Sequence, residues 1–398
     1  MLRFLLSLVT AAGLVLGAQA AAANAPEDVK ASPDASLEAD LAKVFADIEK
    51  DRLDQALSRV NALLKTYPNF RLGNLIKGDL LLARSQPIST FGNVQGPKDE
   101  LAGLRAEAIA RLRAYKDRPP TGFIPSSLVQ MAPEQKYAVV VDTRHARLYV
   151  FANDKGRPRF VTDYYVSHGK AGADKQREGD NRTPVGVYHV TSWLAPSKLA
   201  DLYGDGAFPI NYPNEWDRME GRTGHGIWLH GTPSNTYSRP PLASEGCVVL
   251  SNPDLTRLAS YVQVGLTPVI ISDQIEWLKP EAWAARKEDL DKTIETWRKD
   301  WESLDPTRYL AHYARNFRSG KMDYARWSSV KRKVAANRHW VKVGIRNLSM
   351  FRSPGQAPLV VVTFDQDYRS DGLNDRMRKR QYWIREDGEW KIAYEGPA

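Results

Sequence analysis

The spacing of apolar residues changes twice along this chain, from a helical period to a strand period and then to a mixture of both. That change limits the fold more than any other feature. Between residues 36 and 115, apolar side chains recur every three or four positions. Leu37, Leu41, Val44, Phe45 and Ile48 share one helical face, and Leu53, Ala56, Leu57, Val60, Leu63 and Leu64 share another. Pro68 stops the second helix, and Leu72 to Arg84 predicts a third. The stretch 85–98 carries Gly, Pro and Ser and predicts a loop, Asp99 to Tyr115 predicts a fourth helix, and a linker with Pro119, Pro120 and Pro125 follows.

The period becomes that of strands from residue 136. Tyr137 to Asp142, Ala146 to Ala152 and Phe160 to Ser167 predict a meander, with Asn153-Asp154-Lys155-Gly156 as one turn. Val185 to Ser192, Gly226 to His230 and Thr267 to Ser272 add strands. Asn252 as N-cap and Pro253 at the first helical position predict one helix, with Leu255, Leu258 and Val262 on its apolar face. Residues 276–303 predict a charged helical connector. Beyond it, Pro306 to Phe317 predicts a helix. Trp340 to Leu348, Leu359 to Asp367, Arg380 to Glu386 and Trp390 to Tyr394 predict strands, the last pair joined at Asp387-Gly388. The expected fold class is multidomain: an N-terminal α-helical module (36–115), a central mostly-β domain (136–273) and a C-terminal α+β domain (304–398). A length of 398 residues has room for all three.

Arg3, the apolar run Phe4 to Leu16 and the small-residue sites Ala18-Gln19-Ala20 or Ala23-Asn24-Ala25 predict an export signal peptide over residues 1–25 and a periplasmic location. An uncleaved anchor is the other reading of this segment. No Cys lies near it, which argues against a lipid anchor, and no later apolar run reaches a membrane-spanning length of about 18 residues. The net charge of +9 is spread along the chain. It comes with no basic block or recognition motif, so nucleic acid is not an expected partner, whereas an anionic wall or membrane surface is compatible.

There is one cysteine, Cys247, so no intrachain disulfide can form. It lies in Ser244-Glu245-Gly246-Cys247-Val248-Val249, seventeen residues after His230 of Gly226-Ile227-Trp228-Leu229-His230-Gly231. A base at a strand end and a thiol in a Gly-flanked turn suit nucleophilic catalysis, in which an imidazole lowers the thiol pKa toward working pH. The N–H groups around Gly246 and Cys247 suit an oxyanion hole, and Ser244 either donates into the site or shapes the turn. No acidic partner for His230 is evident, which leaves a backbone carbonyl, that of Gly231, to orient it. Tyr212, Trp216 and Arg222 are candidates for substrate contact, with core packing and a solvated guanidinium as the alternatives. His168 is a candidate to line the cleft. His168, His225 and His230 do not have the spacing of a zinc site, and no metal or other cofactor is expected.

These residues resemble the signature of the L,D-transpeptidase catalytic domain (YkuD) family. There, His-Gly leads to Ser-x-Gly-Cys, after a hairpin like Val139-Val140-Val141-Asp142 with Ala146 to Phe151, and after Gly169-Lys170 and Thr183-Pro184-Val185-Gly186-Val187-Tyr188. The resemblance spans residues 137–273. It implies a β-rich sandwich and a cysteine acyl-enzyme formed on peptidoglycan stem peptides. Glu245 and Val249 depart from the pattern, which often has His and Arg there, and the missing Arg bears on acceptor binding. The tail resembles the cone-shaped nuclear-transport-factor-2-like domain, and the helices resemble a single tetratricopeptide-like hairpin. The whole layout resembles cell-shape L,D-carboxypeptidases. Phe208-Pro209 through Arg222-Thr223-Gly224 resembles a branch that releases wall-bound lipoprotein. The expected reaction is transfer of the acyl group to an amine, with hydrolysis as a carboxypeptidase or amidase as the alternative and a non-enzymatic wall-binding scaffold as the rival. A homodimer through the helical or C-terminal module is a further expectation. So is a tail, residues 304–398, that can be deleted without loss of small-substrate cleavage.

Overall fold

The N-terminal stripes fold into four helices, α1 (Pro33–Glu49), α2 (Leu53–Thr66), α3 (Arg71–Leu82) and α4 (Lys98–Lys116). Their apolar faces meet in one core that also takes in Tyr237, from the loop after His230. The computed structural model describes residues 33–88, 90–93, 97–355 and 357–398. The expected leader, 1–25, lies outside them. Among the described residues no helix is long and apolar enough to cross a membrane.

Two short strands follow, β1 (Ile124–Pro125) and β2 (Leu128–Gln130). The central domain is built on five strands: β3 (Tyr137–Asp142), β4 (Arg147–Asp154), β5 (Arg157–Tyr165), β7 (Gly186–His189) and β12 (Pro268–Ser272), in the order β5-β4-β3-β12-β7. The run Ala138-Val139-Val140-Val141 in β3 is apolar at every position because both faces of this sheet are covered. On one face Val139, Val141, Leu148, Val150, Val269 and Ile271 pack against Leu229, Val248 and the helix α6 (Asn252–Ala259). That layer includes a three-stranded sheet ordered β11 (Val248–Val249)-β9 (Trp228–His230)-β8 (Ala207–Pro209). A parallel pair, β6 (His168–Gly169) with β10 (Leu242–Ser244), and the short helix α5 (Glu215–Met219) complete it.

The opposite face of the five-stranded sheet presents Ala138, Val140, Tyr149, Phe151 and Ile270 to Phe351, Leu359, Val361 and Tyr382 of the tail. The tail's sheet has seven strands in the order β15 (Met322–Asp323)-β14 (Tyr313–Ser319)-β19 (Glu389–Pro397)-β18 (Asn374–Glu386)-β17 (Leu359–Ser370)-β16 (Val341–Arg352)-β2. Its last member, β2, comes from the expected linker, while β1 pairs with β13 (Trp277–Leu278). The expected connector is α7 (Pro280–Glu302), and it is a core element: Leu290, Ile294 and Trp297 pack with Val362, Phe364 and Trp383. The tail is therefore a third layer over the catalytic sheet, and deleting residues 304–398 would bare that sheet's apolar back.

Pro306 to Phe317 is not one helix. Asp305 caps α8 (Pro306–Leu310) through its carboxylate, 2.8 Å from Thr307 N, and the chain then turns into β14. Tyr313 and Phe317 are buried, and β14 pairs in parallel with β19, a contact across about eighty residues that outweighs local preference. A further helix, α9 (Tyr324–Ala336), capped by Asp323, was not anticipated.

The helical module is locked to the sheet by buried charge. Arg147 of β4 pairs with Glu38 of α1 and with Asp163 of β5, and Arg111 of α4 lies 3.6 Å from Glu38 and 3.0 Å from Glu107. Arg147 and Glu38 side chains are 2% and 1% exposed, so removing Arg147 withdraws a positive charge from two carboxylates, Glu38 and Asp163, and leaves the buried network with excess negative charge. Arg147→Met should lower unfolding free energy by about 3 kcal/mol or more in urea denaturation. An unchanged midpoint and slope would show that the network contributes nothing.

Candidate active site

Cys247 and His230 are brought together by β-pairing. Parallel strands β9 and β11 pair Leu229 with Val248 and His230 with Val249. Extending that register by one residue sets Cys247 opposite Trp228. In-register neighbours face the same side of a sheet, so Cys247 and His230 form a diagonal pair on one face. Leu250 N donates to His230 O at 2.9 Å and extends the ladder.

The nucleophile turn is held from three directions. Gly246 has φ +133, where L side chains are strained, and an added Cβ would lie 2.7 Å from Arg182 O. Thr183 Oγ1 donates to Gly246 O at 2.9 Å and accepts from Gly169 N at 2.9 Å. This explains why Gly169, Thr183 and Gly246 belong to one site although far apart in sequence. Ser244 Oγ donates to Cys247 O at 2.6 Å and accepts from Gly246 N at 3.1 Å. The Gly246 amide thus braces the turn and is not a free oxyanion donor, because the Ser244 hydroxyl already occupies it. Ser244 is a turn-shaping residue.

His230 is buried, and its Nδ1 lies 2.7 Å from the Gly231 carbonyl, the orienter expected for it. Nδ1 therefore carries the hydrogen and Nε2 keeps its lone pair. Tyr203 meets the ring edge-on at 5.1 Å and Trp228 at 4.8 Å from Tyr203 continues the wall. Gly231 must lack a side chain, since a Cβ would come within 2.0 Å of Asn252 Oδ1. Asn252 is not the cap of α6. Ser251 is, through its side chain to Asp254 N, while Asn252 Oδ1 accepts from Thr232 N and Asp205 N at 3.1 and 3.0 Å. The shorter side chain one residue earlier reaches the helix, and the amide ties down the chain after His230.

The other candidates are dispersed. Tyr212 is buried, its hydroxyl donating to Thr223 O at 2.9 Å, so it is a core residue. Arg222 is held 3.0 Å from the buried Asp217 carboxylate. Trp216 stacks on Tyr382 of the tail. His168 is buried rather than lining the cleft, and burial pushes its pKa down to about 4 against the pull of the Thr143 carbonyl. His225 is 83% exposed beside Glu178, ahead of β9 rather than within it. Among the described residues no group of three or more His, Cys, Asp or Glu could hold a metal.

Electrostatics reverse one expectation. Burial pushes the Cys247 thiol up to about 11, opposed by the Trp228 amide and the Arg239 charge. Burial pushes His230 down to about 4, opposed by the Gly231 carbonyl. The resting pair is neutral thiol and neutral imidazole, because burial disfavours both charges. The thiol donates to Gly226 O at 3.3 Å, as a protonated sulfur does. Two cations act on the thiol: Lys175, which is paired with Asp180 at 2.7 Å, and Arg239, which no motif flagged.

A thiol just before β11 and an uncharged imidazole at the end of β9 make up a candidate cysteine-nucleophile site, in a domain layered between helices and the seven-stranded tail. The comparisons carry this to a family. Residues 136–271 match the L,D-transpeptidase catalytic domain model, YkuD, and residues 289–396 match the Cds6 C-terminal NTF2-like domain. The chain is similar to the solved structure of Bd1075 from Bdellovibrio bacteriovorus, at 30% identity over 69% of this chain and 98% of that one, TM-score 0.63. It also shares its fold with the helical cell shape determining protein Pgp2 from Campylobacter jejuni, at 24% identity over 70% and 96% of the two chains, TM-score 0.58. No curated protein matches it. The chain belongs to the L,D-transpeptidase (YkuD) family, in the layout with a Cds6-type NTF2-like C-terminal domain.

A neutral thiol of raised pKa has a definite pH signature. Below about 11 the thiolate fraction of Cys247 rises tenfold per pH unit, while His230 is free base above about 4. Alkylation of Cys247 by iodoacetamide should therefore climb from pH 6 to pH 9 without a plateau. A plateau below pH 8 would indicate a preformed thiolate–imidazolium pair.

Proposed function

We propose that this enzyme cleaves an L,D-peptide bond in the stem peptide of peptidoglycan through a thioester on Cys247. The observation that carries the reading is the diagonal pairing of Cys247 with a His230 whose Nδ1 is fixed on Gly231. His230 Nε2 takes the thiol proton as Sγ attacks the carbonyl of the L-centre. The C–S bond forms, the C–N bond breaks, and the proton passes from His230 to the leaving amine of the D-residue. With the Gly246 N–H engaged, the Cys247 N–H is the amide at the nucleophile that can meet the oxyanion. No step needs a cofactor.

Hydrolysis is the outcome favoured for the thioester, and Val249 favours it. Its side chain is buried, and its N and O both bond to Ser167 at 2.9 Å, so the position two residues after the nucleophile offers no cation to hold a carboxylate of an incoming acceptor stem. Water then adds to the thioester, the C–O bond forms, the C–S bond breaks and the thiol is restored. The wall substrate and the apolar leader Phe4 to Leu16 support a periplasmic site of action. The layering shared with a helical cell shape determining protein supports a part in shaping the wall.

Purified wall digested in ¹⁸O-water should yield stem peptides one D-residue shorter, with one ¹⁸O in the new carboxylate. Cross-linked dimers without label would mean transfer instead. Cys247→Ala should abolish either product, and His230→Ala should slow turnover roughly 10²- to 10⁴-fold. Undiminished turnover in Cys247→Ala would rule out the mechanism.

A further inference from the structure

The segment between His230 and Cys247 is pinned to the helical module along its length. Tyr237 N donates to Asn69 O at 3.1 Å and its ring is buried in the helical core. Ser238 Oγ donates to Glu107 at 2.7 Å. Pro240 abuts Gly103, where an added Cβ would lie 2.8 Å from the ring. Between these anchors sits Arg239. Its own carbonyl accepts from Tyr165 OH and Ser167 Oγ, each at 2.9 Å, so its backbone is fixed. Its guanidinium donates to Ala243 O, one residue before the Ser244–Cys247 turn, and among the described residues it forms no ion pair.

A partly buried cation without a counter-charge is costly unless an anion visits it. Arg239 lies close enough to lower the pKa of both Cys247 and His230, whereas Lys175, which also acts on the thiol, is paired with Asp180 at 2.7 Å. Its nearest acidic neighbour in that field is Glu245, whose side chain is 82% exposed and lies 3.6 Å from Lys170. In the bound peptide, the carboxyl carbon of a terminal D-residue lies only about 3–4 Å from the attacked carbon. A charge that reaches the sulfur therefore reaches that carboxylate as well.

We propose that Arg239 binds the free carboxylate of the departing D-residue and so restricts the enzyme to L,D-bonds at the end of a stem peptide. The assignment rests on the cleavage reading above and deepens it by naming the residue that recognises the free end of the donor. The guanidinium fork matches a carboxylate in geometry, and the anchors hold it ready. The helical module thereby acts as the support of a specificity residue.

The test compares two synthetic stem tetrapeptides that differ only at the C-terminus, one a free acid and one an amide. Wild type should favour the acid in kcat/KM by roughly 10- to 100-fold, the range for losing a charged hydrogen bond. Arg239→Gln should bring that ratio near one by slowing the acid more than the amide, and Arg239→Lys should hold an intermediate ratio. Any effect of Arg239 on thiolate formation multiplies both substrates and cancels in the ratio. Equal turnover of acid and amide by wild type overturns the proposal and leaves the cleavage reading standing. So does an Arg239→Gln variant that slows both peptides alike, for Arg239 would then serve the nucleophile. Failure of wild type to cleave either peptide overturns the cleavage reading and this proposal together.

Discussion

The site depends on a parallel ladder only two residue pairs long, Leu229 with Val248 and His230 with Val249. A slip of one residue there would turn Cys247 to the opposite face from His230. So short a ladder cannot hold its own register, and the surroundings hold it. Thr183 fixes the Gly246 carbonyl, Ser244 closes the turn onto Cys247, and Asn252 ties the chain that follows His230.

The outer modules act through the same principle. The five-stranded sheet is covered on one face by the layer carrying the site and on the other by the tail, so the platform has no free apolar face. Two loops of the central domain link the modules to the thiol. From the helical side comes the segment bearing Arg239. From the tail side, Glu215 of α5 meets Arg380 and Tyr382, and the chain from α5 leads to Gly226, whose carbonyl takes the thiol hydrogen bond. Helices and tail thus bear on the geometry of one sulfur atom, which accounts for their being layered on the catalytic sheet rather than tethered to it.

Much of this was legible in sequence wherever local rules and burial agree. The helical stripes, the apolar run of β3 and the Gly-flanked Cys247 each follow from short-range physics. What was not legible depends on partners far along the chain. Tyr313 to Ser319 becomes a strand because β19 is there to receive it, and α7 reads as a connector until Trp297 is seen against Phe364. Tyr212 and His168 look available in sequence and prove buried. Arg239 carries no motif signal in sequence, because what sets it apart is its anchoring by distant helices and, among the described residues, the lack of an ion pair. The available hint was a single Arg between Ser238 and Pro240 within the His–Cys segment. The direction of the thiol pKa is hidden in sequence for a similar reason: the imidazole is visible there, and the burial that disfavours both charges is not.

The central claim is that the acyl group passes through Cys247 as a thioester. Intact-protein mass spectrometry on enzyme acid-quenched during turnover of a stem tetrapeptide measures this directly. The account predicts an adduct of the acyl fragment without its terminal D-residue, mapped to the peptide containing Cys247 and removed by hydroxylamine. Release of the D-residue with no such adduct under conditions where product release is slow, or with the adduct on another side chain, would contradict it.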